Sequence, residues 1–513
     1  MRIPDWLARR ESLSPDKTAL VDMLRGGQAV TYRAWNRAAN RTARFLLSVA
    51  AIQRGQRVAV LAKNCTEYLD LLFACAKTGA ILETLNWRLT PVELAGILAE
   101  GEPSVLVYGP GFEATIAALE GGLASVRAFV ALGEPAREGH LAFSGRDTRA
   151  DTPLPEIALT EDDPWVLCST GGSTGLPKAA VLTHGNILWN AINTIVSWGL
   201  SPDDVAILDA PLFHTGGLNV FTTPLAHLGG TSIVCDGFDA ALFYDLLASA
   251  RPTLYFGVPT MFVALAEHER FAGADFSPLR IVISGGAPCP AALQARYWAQ
   301  GIGLKTGYGL TEAGPNTFWL PPAAVQRKPG SVGAPLFHVD VRVVDHEGRD
   351  LPAGAVGELW VRGPHVCKGY WRRPLESAAA IVDGWLHTGD LGRRDDDGHF
   401  YVVGRRKEVI ISGGENVYPA EVEAVLSAHP GVAEAALVGV PDPRWGEVGL
   451  ALVVPRAAGA DETLTEESIL DFCRARLARY KVPRRLIITP ELPRTGAGKL
   501  DKRALREQYG RST

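Results

Sequence analysis

The chain has little of what marks several large protein classes. Its seven cysteines (Cys65, Cys75, Cys168, Cys235, Cys289, Cys367 and Cys473) include no C-x-x-C pair. An odd, widely spaced set argues against a disulfide scaffold and against a structural zinc site. Most of the seven sit among apolar neighbours and read as small core residues. No run of about 18 uncharged apolar residues occurs, so no integral membrane segment is expected. The Met1–Arg10 stretch lacks an apolar core followed by a cleavage site; a signal peptide is not expected, and a cytoplasmic location is the default. Neither charge sign dominates. A formal net charge of -5 gives no general attraction to nucleic acid, and phosphate-rich ligands need local basic sites.

What is present is an ordinary globular composition, 47% hydrophobic and 21% charged, over 513 residues, which is too long for one compact core. Strand-like and helix-like patterns alternate through the first half. Arg57–Leu61 is a short β-branched run, Glu67–Thr78 carries a helical apolar face, and Ile81-Leu82, Ser104–Tyr108, Val166–Ser169, Val205–Leu208, Ser232–Cys235, Thr253–Phe256 and Ile281–Ser284 are further strands. That order predicts an α/β fold with stacked, mostly parallel sheets. After Pro329 the candidates Val341–Val344, Gly357–Arg362 and His399–Val403 are joined by Gly- and Asp-rich turns and predict a small β-barrel-like subdomain. Asp395-Asp396-Asp397-Gly398 reads as a hairpin tip. A boundary falls near Gly404-Arg405-Arg406-Lys407, giving a large N-terminal domain over residues 1–403 and a small mobile α+β C-terminal domain over residues 404–513.

The most informative segment runs from Val166 to Lys178. An apolar strand enters Ser169-Thr170-Gly171-Gly172-Ser173-Thr174-Gly175, seven residues with four hydroxyls and three glycines, followed by Leu176-Pro177-Lys178. Glycines let consecutive backbone N–H groups converge on a polyanion, hydroxyls donate further bonds, and Lys178 adds a point charge. Leu176-Pro177 separate Gly175 from Lys178, so this is not the P-loop NTPase signature.

On this loop the sequence resembles the acyl-adenylate-forming superfamily of acyl-CoA synthetases, amino-acid adenylation domains and beetle luciferases. The family loop usually reads Thr-Ser-Gly-Thr-Thr-Gly-x-Pro-Lys-Gly; this chain departs at Gly171, Ser173 and Ala179. Further matching segments follow in order over nearly the whole chain: Ser284-Gly285-Gly286-Ala287-Pro288, Tyr308-Gly309-Leu310-Thr311-Glu312, Trp385–Asp390, Gly404–Lys407 and Pro493–Lys499. The resemblance implies ATP, Mg²⁺ and coenzyme A as ligands. It implies that Gly286, Ala287 and Pro288 line the adenine and acid pockets, that Tyr308 and Gly309 lie at adenine, and that Thr311 meets the α-phosphate region. Glu312 is implied as the Mg²⁺ ligand, Asp390 as the ribose acceptor, Arg405 as a nucleotide contact and Lys407 as the hinge. Lys499 is implied as the catalytic lysine of adenylation, and Gly413 and Gly414 as part of the pantetheine tunnel. His214, within Pro211–Gly217, is implied to orient the carboxylate and gate the thiol's path. His184 is read as a brace behind the phosphate loop.

Carboxylate attack on a phosphate joins two anions, so the site must supply cations and oriented donors rather than a strong base. The expected activity is ligation of a carboxylic acid to coenzyme A through acyl-AMP, with pyrophosphate and AMP released. The segments Phe213–Thr223, Val282–Ala287 and Leu304–Pro315 carry few charges besides Lys305 and Glu312, which favours an apolar acid. A medium- or long-chain fatty acid is the first expectation. An aromatic acid of the benzoate, cinnamate or succinylbenzoate kind is the alternative, and a catalytically silent nucleotide-binding homologue is a third. Thr513 follows shortly after Lys499, which favours free coenzyme A over a fused carrier; oligomeric state, including a homodimer, stays open.

Overall fold

The computed structural model describes residues 2–135, 137–170, 177–412, 415–456, 464–495 and 500–510. Two seven-stranded sheets form the large α/β body. The first runs, edge to edge, Leu141–Ala142, Ala128–Ala131, Val105–Tyr108, Arg57–Leu61, Ile81–Thr84, Pro164–Thr170 and Lys178–Thr183. The second runs Leu304–Thr306, Ile281–Ser284, Leu254–Gly257, Val205–Leu208, Thr231–Val234, Thr18–Asp22 and Gln28–Thr31. Every neighbouring pair is parallel except the last in each sheet, a hairpin that closes the edge.

Helices between the sheets explain the near-continuous apolar runs of these strands. The helix Thr66–Thr78 buries Tyr68, Leu69, Leu71, Leu72, Phe73, Ala74 and Cys75, which leaves it almost no solvent face. Together with Tyr32–Ala50 and His184–Trp198 it shares one core with Val58, Leu82 and Val166 of the first sheet and Leu20, Leu208 and Val234 of the second. Burying each such large side chain contributes about 1.5–3 kcal/mol, so this shared core is what fixes the two sheets as one body. The same core braces the site. Trp165 packs edge-on against Trp6 at 5.5 Å and Phe73 at 5.7 Å, and its Nε1 donates to Leu72 O at 2.9 Å. It stands at the start of the strand that leads into the phosphate loop.

Beyond the α/β body, Asp340–Val344, Gly357–Arg362, Trp385–Arg394, Ile381–Val382 and Phe400–Arg405 form a five-stranded antiparallel sheet. The acidic run at 395–397 is its hairpin tip, where Asp395 accepts from Lys328 Nζ at 2.9 Å. The small C-terminal α+β domain is built on Glu415–Val417, Ile410–Ser412, Gly446–Pro455, Val432–Asp442 and Arg485–Ile488. Lys502 ties its last helix to the junction, with Nζ 2.7 Å from Glu423 and 3.4 Å from Glu408. The expected α/β class, stacked sheets, small β unit and C-terminal α+β domain are all present. The long strand Trp385–Arg394 was not legible as a strand because glycines and polar residues interrupt it, and Lys178–Thr183 because its apolar stretch is only four residues long and runs straight into a helix.

Candidate active site

The phosphate loop closes a hairpin. Ser169 pairs with Ala179 and Thr170 with Lys178, and Thr170 Oγ1 donates to Lys178 O at 3.1 Å. Gly171, Gly172, Ser173, Thr174 and Gly175 lie outside the described residues, as do Gly413, Gly414 and Lys499. Behind the hairpin, Thr183 caps the helix His184–Trp198 in a reciprocal box with Asn186 (Asn186 N to Thr183 Oγ1, 3.1 Å; Thr183 N to Asn186 Oδ1, 2.9 Å). His184, the first residue of that helix, stacks on Trp165 at 4.8 Å; burial pushes its pKa down to about 4, so it is a neutral brace.

The free edge of Lys178–Thr183 is covered by a segment that carries no recognisable signal in the sequence. Val181 N donates to Gly369 O, Lys368 N to Val181 O and Trp371 N to Ala179 O, each at 2.8–3.0 Å. Asn186 Nδ2 holds the preceding turn through Pro364 O and Val366 O. This edge pairing delivers Tyr370 to the site. Its ring lies 5.2 Å from Lys178 Nζ, and its hydroxyl donates to Glu312 Oε1 at 2.9 Å. Desolvation, followed by the neighbouring Glu312 charge, raises the Tyr370 pKa, so the phenol stays a donor. The backbone is tied as well, since Cys367 N donates to Glu312 O at 2.7 Å.

A second constellation joins Tyr308, Asp390 and Arg405. Asp390, 4% exposed, accepts from Tyr308 OH at 2.7 Å and lies 3.0 Å from Arg405 Nε. Register explains the second contact, because Asp390 and Arg405 are directly paired across the antiparallel sheet. Desolvation raises the Asp390 pKa and Arg405 opposes it. Desolvation and Asp390 together raise that of Tyr308. Gly309 is required by close approach: a Cβ there would sit 2.2 Å from Pro315 O. Thr311 and Glu312 are half-buried in the same connection, and Gly286, Ala287 and Pro288 are exposed just after the strand Ile281–Ser284.

His214 stands at the start of a short helical turn, Thr215–Gly217, with its ring 4.4 Å from that of Phe213. The chain continues into a π-helical turn, Leu218–Thr222. Beside these turns is a small void of about 10 Å³ lined by uncharged residues, among them Ala210, Gly216, Val220, Phe221, Thr222 and Phe256. Phe256 is wedged between two glycines: a Cβ at Gly216 would lie 3.0 Å from its ring, and one at Gly285 would lie 2.9 Å away. At the junction, exposed Lys407 lies in the turn Arg406–Glu408. Its neighbour Arg406 pairs with buried Glu358 at 2.9 Å.

The structure therefore brings Lys178 near Glu312, and Tyr308 together with Asp390 and Arg405, from segments far apart in sequence. Tyr370 was missed because its segment carries no composition that singles it out; Phe256 was legible as the end of a strand, but not as a ring packed between Gly216 and Gly285.

An α/β body of two stacked sheets, a small β unit and a small C-terminal domain, with this polar site at its surface, defines an adenylate-forming class of enzyme. The AMP-binding enzyme family model matches residues 7–371, and the AMP-binding enzyme C-terminal domain model matches residues 421–499. The chain belongs to this family, as an AMP-forming acid–CoA ligase. It is 44% identical to a feruloyl-CoA synthase of Amycolatopsis sp, over 98% of each chain. It is 39% identical to an indoleacetate–CoA ligase of Aromatoleum aromaticum, over 100% of this chain and 99% of that one. A long-chain-fatty-acid–CoA ligase of Mycobacterium tuberculosis is 36% identical over 98% of each. The ATP-bound crystal structure of MatB from Rhodopseudomonas palustris superposes with a TM-score of 0.90 at 32% identity, covering 99% of each chain. Among the described residues, no helix is long and apolar enough to cross a membrane.

Proposed function

We propose that the chain activates an aromatic carboxylic acid, of the aryl-propenoate or arylacetate kind, and ligates it to coenzyme A. The first expectation, a fatty acid, gives way to the alternative. The carrying observation is the likeness to feruloyl-CoA synthase and indoleacetate–CoA ligase over nearly the whole chain, and the apolar residues packed around the turns after His214, Val220, Phe221 and Phe256 among them, agree with it. Apolar and aromatic side chains there suit a ring-bearing acid by area burial.

In the first half-reaction a carboxylate oxygen bonds to the α-phosphorus of ATP and the bond to pyrophosphate breaks. Ser169, Thr170, the loop residues that follow and Lys178 hold the phosphates. Asp390 accepts from the ribose hydroxyls, with Arg405 and Tyr308 fixing its orientation, and Tyr308 with Gly309 backs the adenine. Glu312 is an oxygen donor of the type Mg²⁺ prefers; Tyr370 occupies Oε1 and leaves Oε2 for the ion. There Mg²⁺ would supply charge to the β- and γ-phosphate oxygens. Thr311 donates near the α-phosphate, Lys499 brings a cation to the developing charge, and His214 orients the carboxylate. In the second half-reaction the coenzyme A sulfur bonds to the acyl carbon and the bond to AMP breaks. A C-terminal unit beginning at residue 404 turns about Lys407 between the two steps, replacing Lys499 with a tunnel lined by Gly413 and Gly414.

ATP–pyrophosphate exchange over a panel of acids tests this. Exchange that depends on cinnamate- or arylacetate-type acids is the expected result, and exchange driven better by aliphatic acids of similar size overturns the aromatic reading.

A further inference from the structure

Two lysines are buried in the α/β body, and they differ in one respect. Lys77 has its ammonium beside Asp5 and donates to Asn36 Oδ1 at 2.6 Å, which is how a structural lysine is satisfied. Lys305, only 1% exposed in the strand Leu304–Thr306, has no hydrogen-bond partner for Nζ among the described residues. Its amine lies 4.6 Å from the Trp198 ring and 4.2 Å from the Trp319 ring, and the two indoles stack 5.3 Å apart. Cation–π attraction offsets only part of what is lost on dehydrating an unpaired ammonium. Burial accordingly drives the Lys305 pKa well below its ordinary value. What remains is an amine that no hydrogen-bonding group among the described residues takes up.

Strand alternation fixes where that amine points. Leu304 joins Phe262 and Tyr297 on one face of the sheet, and Lys305 goes to the other, the face of its paired neighbour Ile283. Val220, Phe221 and Phe256, which surround the turns after His214, pack in the cluster on that same face. Trp198, one wall of the lysine cage, meets Phe221 edge-on at 5.8 Å, so one aromatic contact joins the amine's cage to the residues around those turns. A hydroxyl reaching the amine from that side requires Phe221 to swing aside, a side-chain change of the kind common on binding.

We propose that Lys305 is a specificity-determining residue at the distal end of the acid cavity, where its amine forms a hydrogen bond with a ring hydroxyl of the aromatic acid. This rests on the aromatic reading above. The phenol donates to Nζ, and if the proton crosses, the resulting ammonium–phenolate pair sits between two indoles that stabilise the cation.

The test compares 4-hydroxycinnamate with cinnamate in ATP–pyrophosphate exchange, using the unaltered enzyme and Lys305→Met. A site built to bond a hydroxyl discriminates by about tenfold or more, and the ratio of kcat/KM values should fall towards one in Lys305→Met. Lys305→Gln, which restores a polar end, should recover part of the ratio. An unchanged ratio in Lys305→Met overturns the assignment to Lys305 while leaving the aromatic reading intact. Turnover of fatty acids with neither aryl acid accepted overturns the aromatic reading and this proposal with it. A second readout needs no variant: 4-hydroxycinnamoyl-AMP formed on the unaltered enzyme should absorb at longer wavelength than in buffer. A band at the same wavelength contradicts the proposal.

Discussion

The two ends of the site are built on opposite plans. At the nucleotide end, polar groups are held by other polar groups: Tyr308 and Arg405 on Asp390, Tyr370 on Glu312, Thr170 on the Lys178 carbonyl. At the proposed acid end the surrounding residues are mostly apolar, and the nearby polar exception, Lys305, has no hydrogen-bond partner among the described residues. Pre-oriented donors at the first end serve a reaction whose charge always develops at the same atoms. The second end must fit whatever acid is brought, so shape and one unsatisfied group decide there. Chemistry and selectivity can therefore be perturbed separately.

The largest separation is expected from Lys499→Ala. Adenylation should fall by about 10²–10³-fold, as on losing one charge-stabilising donor, while coenzyme A transfer to preformed acyl-AMP is much less affected. Equal loss in both half-reactions, followed by single-turnover kinetics, would contradict the role given to this lysine. Asp390→Asn should come next. It leaves the Arg405 charge without its carboxylate, and hydrogen bonds to charged groups contribute about 1.5–3 kcal/mol, so the KM for ATP should rise by about one to two powers of ten. The acid preference should not move, and a changed preference would break the division between the two ends. Tyr370→Phe keeps the ring over Lys178 and removes the bond to Glu312. A loss of about tenfold in adenylation is expected, relieved by raised Mg²⁺, and Mg²⁺-independence of the defect would deny Tyr370 a positioning role.

The smallest effect concerns stability. Burial raises Asp209 from 3.8 to about 7 and Glu83 from 4.5 to about 8, so the stability tied to their neutral forms is present at low pH and is lost as pH rises through those values. Burial lowers His184 and His365 from 6.5 to about 4, so their contribution is present above 6.5 and is lost as pH falls towards 4. The opposing slopes offset each other between roughly pH 4.5 and 6.5, and above that the carboxyls alone act. Melting temperature should therefore decline between roughly pH 6.5 and 8, and Asp209→Asn should flatten part of the decline. An equally steep decline in the variant would remove Asp209 from the account.

The same division governs what the sequence disclosed. Short motifs such as Tyr308–Glu312 and Trp385–Asp390 are legible because they resemble contiguous family motifs, which a local stretch of sequence carries whole. The strands Arg57–Leu61 and Ile281–Ser284 are legible because both faces are buried, which demands unbroken apolar runs. Tyr370 was hidden because an edge pairing, not a motif, delivers it to Glu312. Lys305 was legible as one of few charges in its segment, but its cage was not, because Trp198 stands on a helix more than a hundred residues earlier in the chain. A lone lysine in a strand takes on meaning only when its surroundings are seen to lack an acceptor.

The central claim is that an invariant polar end serves an apolar end that selects flat, ring-bearing acids. Competition between 4-hydroxycinnamate and a medium-chain fatty acid in one reaction with ATP and coenzyme A, read as the two thioester products, tests it most directly. The account predicts that the aryl thioester predominates; predominance of the fatty acyl thioester would contradict it.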